Sequence, residues 1–459
     1  MNMLHVSALP VWSMGGKGGM PSLHETIRGH VASGHGITLL LPRYNLMSDD
    51  LEPVQVPLGI GAEVHVVPCL WLPALKRARA AGRYLGKGGE LPYPLRWLLN
   101  LATMFLLTAS LVWAALRLRH RARRRFDLVY AHNQYAAMAG WLIACILKVP
   151  NVTRLYGTFL ADLMRRPLVW LRYPVAAAGY LVPHDLLICA NDGTRGDEVA
   201  RQLGIDLKRF RFWQNGVDRP VSLPGDSRHA LTDKAPVNLR CDSRWIISCS
   251  RLANWKRVDR IIRALRICRC KGCDAQLLIV GDGPEADRLK SLAAEQGVAR
   301  DVVWFGTVAH REVWCLMGLS DVFVIANDVT NRCNPLYEAI CMGLPVVSVF
   351  DPSTQDLLKD GENALLADRE DEARLGEQMY RACTDADRAA RMREAQRQRA
   401  DTFWTWEARM EAEAAELARL VRRRHAASGS KSPGRDTRQP ARGGQEQGSR
   451  WPGYRNHAS

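Results

Sequence analysis

Residues 327–350 read NDVTNRCNPLYEAICMGLPVVSVF, and this stretch leaves the chain few folds to choose from. The apolar run 321–326 just before it predicts a buried parallel strand. Asn334 stands where an N-cap belongs and Pro335 at the first helical position. The helix carries Leu336, Glu338 and Ala339, then stops at Gly343 with Pro345 two residues on. Residues 346–350 form the next strand. Strand, loop, helix and strand in that order predict an α/β fold with a parallel sheet. A helix that starts at the carboxyl end of such a sheet directs free N–H groups and its positive dipole end into a crevice. Glu338, about one turn in, is placed to reach a sugar hydroxyl beside a bound anion. A phosphate next to a ribose fits that geometry.

The chain has 459 residues, enough for two α/β domains and a tail. Its net charge of +16 suits an anionic ligand or an anionic membrane surface. The sequence carries no zinc-finger spacing and no aromatic RNP-like run, so no nucleic-acid partner is expected. Twelve cysteines are scattered, several in apolar runs (Cys145, Cys189, Cys249, Cys341), as for buried, reduced thiols. The one cluster, Cys268, Cys270 and Cys273, lacks a fourth ligand and fits the end of a helix, so no metal is expected. The chain opens on a strand without a charged leader, so a cytoplasmic location is expected.

In order, the strand 4–9 runs into a loop where Gly15, Gly16, Gly18 and Gly19 bracket Lys17. Such glycines let backbone approach a phosphate, although the spacing is neither a P-loop nor GxGxxG. Residues 98–116 hold no charge and precede an arginine run at 117–125. Hydropathy alone allows a membrane span. A span would put the strands 4–9 and 127–132 on opposite sides, so a buried helix or one lying at a bilayer interface fits better, with peripheral membrane contact through 98–125. The strand 127–132 delivers His132 to its carboxyl end, and the strand 152–157 ends beside it. Asn215, Gly216, Val217 and Asp218 close the first half. A Pro-containing polar segment, 219–239, serves as the linker. After the strand 245–250 come Arg251 and Lys256, a fork and a point charge suited to a diphosphate. Residues 360–366 read as a turn, and a last helix starts near 403. The tail from residue 426 is rich in Gly, Ser, Pro and Arg and is expected to be disordered.

These motifs together resemble family 4 of the glycosyltransferases. The match lies in Glu338-Ala339 with the Gly343-Leu344-Pro345-Val346-Val347 ending, in Asn215 to Asp218, and in Arg251 with Lys256. The family's first Glu, which contacts the donor sugar, is replaced by Thr330, and Asn327, Asn331 and Asn334 form an Asn-rich version of that loop. The resemblance implies a GT-B fold: two Rossmann-like domains facing across a cleft, 1–218 and 240–400, with the helix 401–425 crossing back and 426–459 as a tail. It implies a metal-independent, retaining transfer from a nucleotide sugar of the UDP or GDP type, a co-substrate and no other cofactor. Gly16, Gly18, Gly19, Val308, Thr330, Asn331, Asn334, Pro335, Leu336 and Glu338 would bind the donor. His132, Arg251 and Lys256 would serve catalysis. A glycan or lipid-linked acceptor at the inner face of a membrane is expected. A GT-B nucleotide-sugar 2-epimerase is the alternative enzyme. A nucleotide-binding but inactive subunit is the alternative that Thr330 motivates.

Overall fold

The computed structural model describes residues 1–9, 21–44, 46, 54, 59–83, 91–218, 228, 238–328 and 332–429. Two wholly parallel sheets organise the described residues. The first takes β1 (Asn2–Ser7), β2 (Gly36–Pro42), β3 (Glu63–Val67), β4 (Leu128–His132), β5 (Asn151–Leu155), β6 (Leu186–Ala190) and β7 (Phe210–Trp213). Its order is β3-β2-β1-β4-β5-β6-β7. The second takes β8 (Arg244–Cys249), β9 (Ala275–Val280), β10 (Val302–Gly306), β11 (Val322–Ile325), β12 (Val346–Val349) and β13 (Ala364–Ala367), in the order β10-β9-β8-β11-β12-β13. Both orders reverse direction beside their first strand, and an open parallel sheet binds ligands at that switch point.

The interior strands are buried on both faces, which is why their sequences are continuous apolar runs. All five residues of β4, β5 and β6 are buried. Register sets Ser7 beside His132 at the crevice end of the first sheet. Strand β13 is a correction, since residues 360–366 read only as a turn: Ala364–Ala367 pair with Val346–Val349 and add a sixth strand.

The apolar helix is longer than its uncharged core and spans Tyr93–Ala122. By length and composition it could cross a membrane, with a mean hydropathy of 1.8, and 44% of its most apolar window is buried. The chain before it forms β1 and the chain after it forms β4, and those strands pair directly. One side of the helix, including Leu107, Leu111 and Ala115, belongs to the first sheet's core.

The last helix starts at Trp406, not near 403, and runs to Gly429, so 426–429 continue it. The remainder of the expected tail and nearly all of 219–237 lie outside the described residues. This helix returns to the first sheet, where Leu417 and Val421 join its core. Val217 N–H donates to Trp404 O at 2.9 Å, and a Cβ at Gly216 would run into the Trp406 backbone. That close approach accounts for the glycine in the Asn-Gly-Val-Asp segment. A helix ends at Cys270 as expected, with Cys268 and Cys273 buried and Cys270 exposed. Cys189 and Cys249 are buried, but Cys145 faces outward and Cys341 is half-buried.

Candidate active-site crevice

The crevice side of the second sheet is built from three loops. After β8 the chain passes through Arg251 into a short 3-10 turn, Asn254–Lys256. Arg251 is exposed and, among the described residues, pairs with no carboxylate. Lys256 is buried, with its Nζ 4.0 Å from the Trp255 ring centroid. In the amide orientation that satisfies both partners, Asn327 accepts from Lys256 Nζ at 3.1 Å and donates to Lys256 O at 3.0 Å. Burial pushes the Lys256 ammonium below its ordinary pKa, because the charged form loses water. Asp328 N–H donates to Trp255 O at 3.0 Å, tying the loop after β11 to the loop after β8. One exposed cation and one buried, braced cation thus share a short loop at the switch point.

The loop after β11 leads into the short helix, which spans Asn334–Cys341 with Cys333 as its N-cap. Asn334 is therefore the first helical residue and Pro335 the second, one position inward of the expected cap. Leu336 is fully buried in the core, and Glu338 lies beneath the surface of the crevice. Glu338 Oε1 is 2.8 Å from His310 Nε2. Burial disfavours a charged His310, but the hydrogen bond and charge of Glu338, with Asp218 and Glu25 further off, outweigh it and raise the His310 pKa. His310 also packs on Trp314, with ring centroids 4.6 Å apart. Val308, two residues earlier in the same loop after β10, packs against the core. His310 was not singled out from sequence; its closeness to Val308 was the available signal. Gly16, Gly18, Gly19, Thr330 and Asn331 lie outside the described residues.

The first sheet ends differently. His132 is 0% exposed. Its Nε2 is 2.9 Å from His5 Nδ1 and its Nδ1 is 2.8 Å from the Tyr156 hydroxyl, so both ring nitrogens are engaged inside the protein. Burial, then the nearby Arg154 charge, holds its pKa well below the ordinary value. Next to it lies a buried carboxylate on the returning helix, Glu413. Tyr130 Oη donates to Glu413 at 2.6 Å, Arg409 lies at 2.7 Å, and Arg154 and His30 at 3.2 Å. Burial opposes the Glu413 charge, yet Arg409 and Arg154 hold its pKa well below the usual carboxylate range. Arg154 also donates to Asn215 Oδ1 at 2.8 Å, and Arg409 Nε to Gln214 O at 3.2 Å. Sequence reading found neither Glu413 nor Arg409, because nothing local sets them apart from other charges on a helix.

A cavity of ≈ 780 Å³ opens between the first helix, Pro21–Ala32, and the start of the last one. Glu25, Asp218, Glu407 and Glu411 line it against the single Arg28, so its charge does not suit a diphosphate. Among the described residues no group of three or more His, Cys, Asp and Glu could hold a metal ion.

Comparison with known proteins bears on both halves. The model of Glycosyl transferases group 1 matches residues 231–399 and that of Glycosyltransferase Family 4 matches residues 61–219. A GDP-mannose-dependent alpha-(1-6)-phosphatidylinositol monomannoside mannosyltransferase of Mycobacterium tuberculosis is 30% identical over 211 residues, 44% of this chain and 51% of that protein. The lipopolysaccharide core biosynthesis glycosyltransferase LpsE of Rhizobium meliloti is 29% identical over 196 residues, 43% and 53% of the two chains. The matched part thus spans about half the length of these relatives. Among solved structures, Anabaena HepE in complex with UDP superposes with a TM-score of 0.61 at 18% identity, covering 94% of this chain and 100% of that one. WaaG, a glycosyltransferase involved in lipopolysaccharide biosynthesis, gives 0.63 at 16% identity over 90% and 99%. At such identities these two likenesses speak to the fold. With both of its halves matched and both sheets in place, the chain belongs to family 4 of the glycosyltransferases and has their two-domain GT-B fold.

Proposed function

We propose that this chain is a retaining glycosyltransferase that moves a sugar from a UDP- or GDP-type nucleotide sugar to a glycan, lipid-linked or other membrane-proximal acceptor. The observation that carries the reading is the pair Arg251 and Lys256 on the loop that leaves the carboxyl end of β8, with Arg251 exposed and free of any carboxylate among the described residues. When the sugar bond breaks, negative charge gathers on the departing diphosphate. Fixed cations beside it gain strength as that charge grows, and so lower the barrier rather than merely tighten the substrate. Asn334, Pro335 and Leu336 open a helix toward the same place, and Glu338, held by His310, would accept from a ribose hydroxyl. Val308 would border the nucleobase. Gly16, Gly18, Gly19, Thr330 and Asn331 keep their assigned donor contacts within this reading.

In a retaining transfer the acceptor hydroxyl attacks from the face the diphosphate leaves, and a leaving-phosphate oxygen takes its proton. No separate base is then required. His132 acts here as a neutral, positioning residue in the floor of the first domain. The relatives that act on a phosphatidylinositol mannoside and on lipopolysaccharide support a membrane-linked acceptor, and the HepE complex supports a uridine nucleotide. The arginines after residue 116 support contact with the inner face of a membrane, from the cytoplasmic side.

The test is incubation of the full chain with radiolabelled UDP- and GDP-sugars and a membrane extract. Label in a lipid or glycan fraction is the expected result. Release of an epimerised nucleotide sugar, or binding without turnover, would replace this reading with an epimerase or an inactive subunit.

A further inference from the structure

The Tyr93–Ala122 helix has two unlike sides. Leu107, Leu111 and Ala115 face the core, whereas Leu98, Phe105, Leu106, Trp113 and Leu116 are exposed, Leu98 to 56% and Phe105 to 54%. A surface helix ordinarily puts polar groups on that side. Residues 93–122 contain no Asp or Glu at all. The apolar stripe also continues past the start of the helix. Trp97 Nε1 donates to Leu171 O and Tyr93 Oη to Arg172 O, each at 2.8 Å, which brings exposed Trp170 and Leu171 alongside. A contiguous exposed apolar surface of this kind marks a partner or a membrane.

At this junction lies a cavity of ≈ 200 Å³. Tyr93, Trp97, Phe159 and Tyr173 line it together with Arg96 and Arg172. Both guanidinium groups pack on the Tyr93 ring, Arg96 at 5.9 Å and Arg172 at 5.1 Å from its centroid. Both are exposed, and among the described residues neither pairs with a carboxylate. Nearby Arg195, by contrast, is taken up by Asp162. Stacked and unpaired, the two forks are held ready for the oxygens of a phosphate. The cavity is smaller than the roughly 300–1,000 Å³ typical of small-molecule clefts, so it suits a headgroup rather than a nucleotide sugar. Gln134, which also lines it, follows His132 by two positions, so the cavity lies at the carboxyl end of β4.

We propose that this cavity seats the phosphate-bearing headgroup of an anionic lipid while the apolar stripe lies in the bilayer interface. Cations without acids beside a strip of Trp, Phe and Leu are the makeup of an interfacial helix, and this favours a lipid over a protein partner. Free phosphate would engage the arginines but leave the stripe uncovered. The proposal deepens the membrane-proximal acceptor reading and rests on it only for its purpose, since lipid capture requires no sugar transfer.

The experiment is sedimentation of the full chain with vesicles of phosphatidylcholine alone and of phosphatidylcholine with one-third phosphatidylglycerol. Binding should require the anionic lipid. Removing one charge near an anionic surface weakens binding about fivefold. R117Q/R121Q and R96Q/R172Q remove equal charge, and the second pair should lose at least about tenfold more, the strength of a placed charge-assisted hydrogen bond. F105E/W113E should abolish binding. Equal losses in the two arginine pairs would leave only diffuse attraction and overturn the seat. Failure of the parent chain to bind vesicles would point to a protein partner instead. Stabilisation by inorganic phosphate that R96Q/R172Q removes, with vesicle binding unchanged, would make this a free-phosphate site. A thermal shift with UDP or GDP in every variant reports folding. It also separates the two readings: nucleotide binding without a lipid seat sinks this proposal alone, and a lipid seat without nucleotide binding sinks the donor reading alone.

Discussion

The two sheets share one order over six strands, the first adding β7 at its edge, yet the polar groups at their crevice ends face opposite ways. After β8 and β11 they turn outward or lie just below the surface: Arg251 is exposed, and Lys256 is braced by Asn327. At β4 and β5 they turn inward, where buried His132 is bonded to half-buried Tyr156 and buried Arg154 pairs with Glu413 of the last helix. In the proposed reading one switch point keeps its charge for a ligand, whereas the other uses its charge to hold the chain's own helix. The strand order provides a polar crevice in both cases; what packs into it decides whether the crevice binds or braces.

The largest expected effect breaks the bracing end. Glu413→Ala strands Arg154 and Arg409 in the interior, and removing one partner of a buried ion pair costs about 3–5 kcal/mol. Urea unfolding measures this directly. A loss below about 1 kcal/mol would mean that water replaces the carboxylate, and the two ends would then differ less than their burial implies.

At the binding end, Arg251→Ala and Lys256→Ala should each lower kcat by on the order of 10²–10³ with a smaller rise in KM, since one preorganised donor at a developing charge is removed. Together they should be less than multiplicative, because both act on one charge. Steady-state kinetics at saturating acceptor is the measurement. Raised KM with unchanged kcat would reduce both residues to donor holders.

Glu338→Ala should weaken nucleoside diphosphate binding by about 1.5–3 kcal/mol, the range of a hydrogen bond to a charged group. It should also lower the His310 pKa, because Glu338 is the foremost of the acids that raise it. Calorimetry and histidine titration by NMR read the two effects. Unchanged affinity would mean that Glu338 serves His310 rather than a ribose.

The smallest effect is a pH dependence at the bracing end. His5 and His132 have pKa values held well below the ordinary 6.5, first by burial and then by neighbouring charges. They are neutral in the fold and gain protons more readily once unfolded. Their contribution is therefore complete above pH 6.5 and declines as pH falls below it toward their folded values. The urea midpoint should drop between pH 7.5 and pH 5.5, and the drop should shrink in His132→Gln. A flat midpoint would mean that the cluster opens to water.

The binding end was the more legible in sequence because its chemistry is local. Arg251 and Lys256 share one loop, and the Glu338 helix is bounded by its own Pro335 and Gly343. The bracing end was not, because Tyr130 and Glu413 meet across 283 positions. His132 illustrates the limit: its place at the end of a strand was readable, but its enclosure by His5 and Tyr156 was not. Strand β13 escaped for a related reason. Its four residues are too few to show a period, and they become a strand only by pairing with β12.

By itself, then, the sequence determined two parallel α/β sheets and a loop carrying two cations, since continuous apolar runs, helix caps and residues a few positions apart act through neighbours in the chain. Only the tertiary structure decided which polar residues are enclosed and which side of the Tyr93–Ala122 helix is left bare. Burial is a property of what packs opposite, and for Glu413 and for that helix the opposing surfaces come from distant parts of the chain.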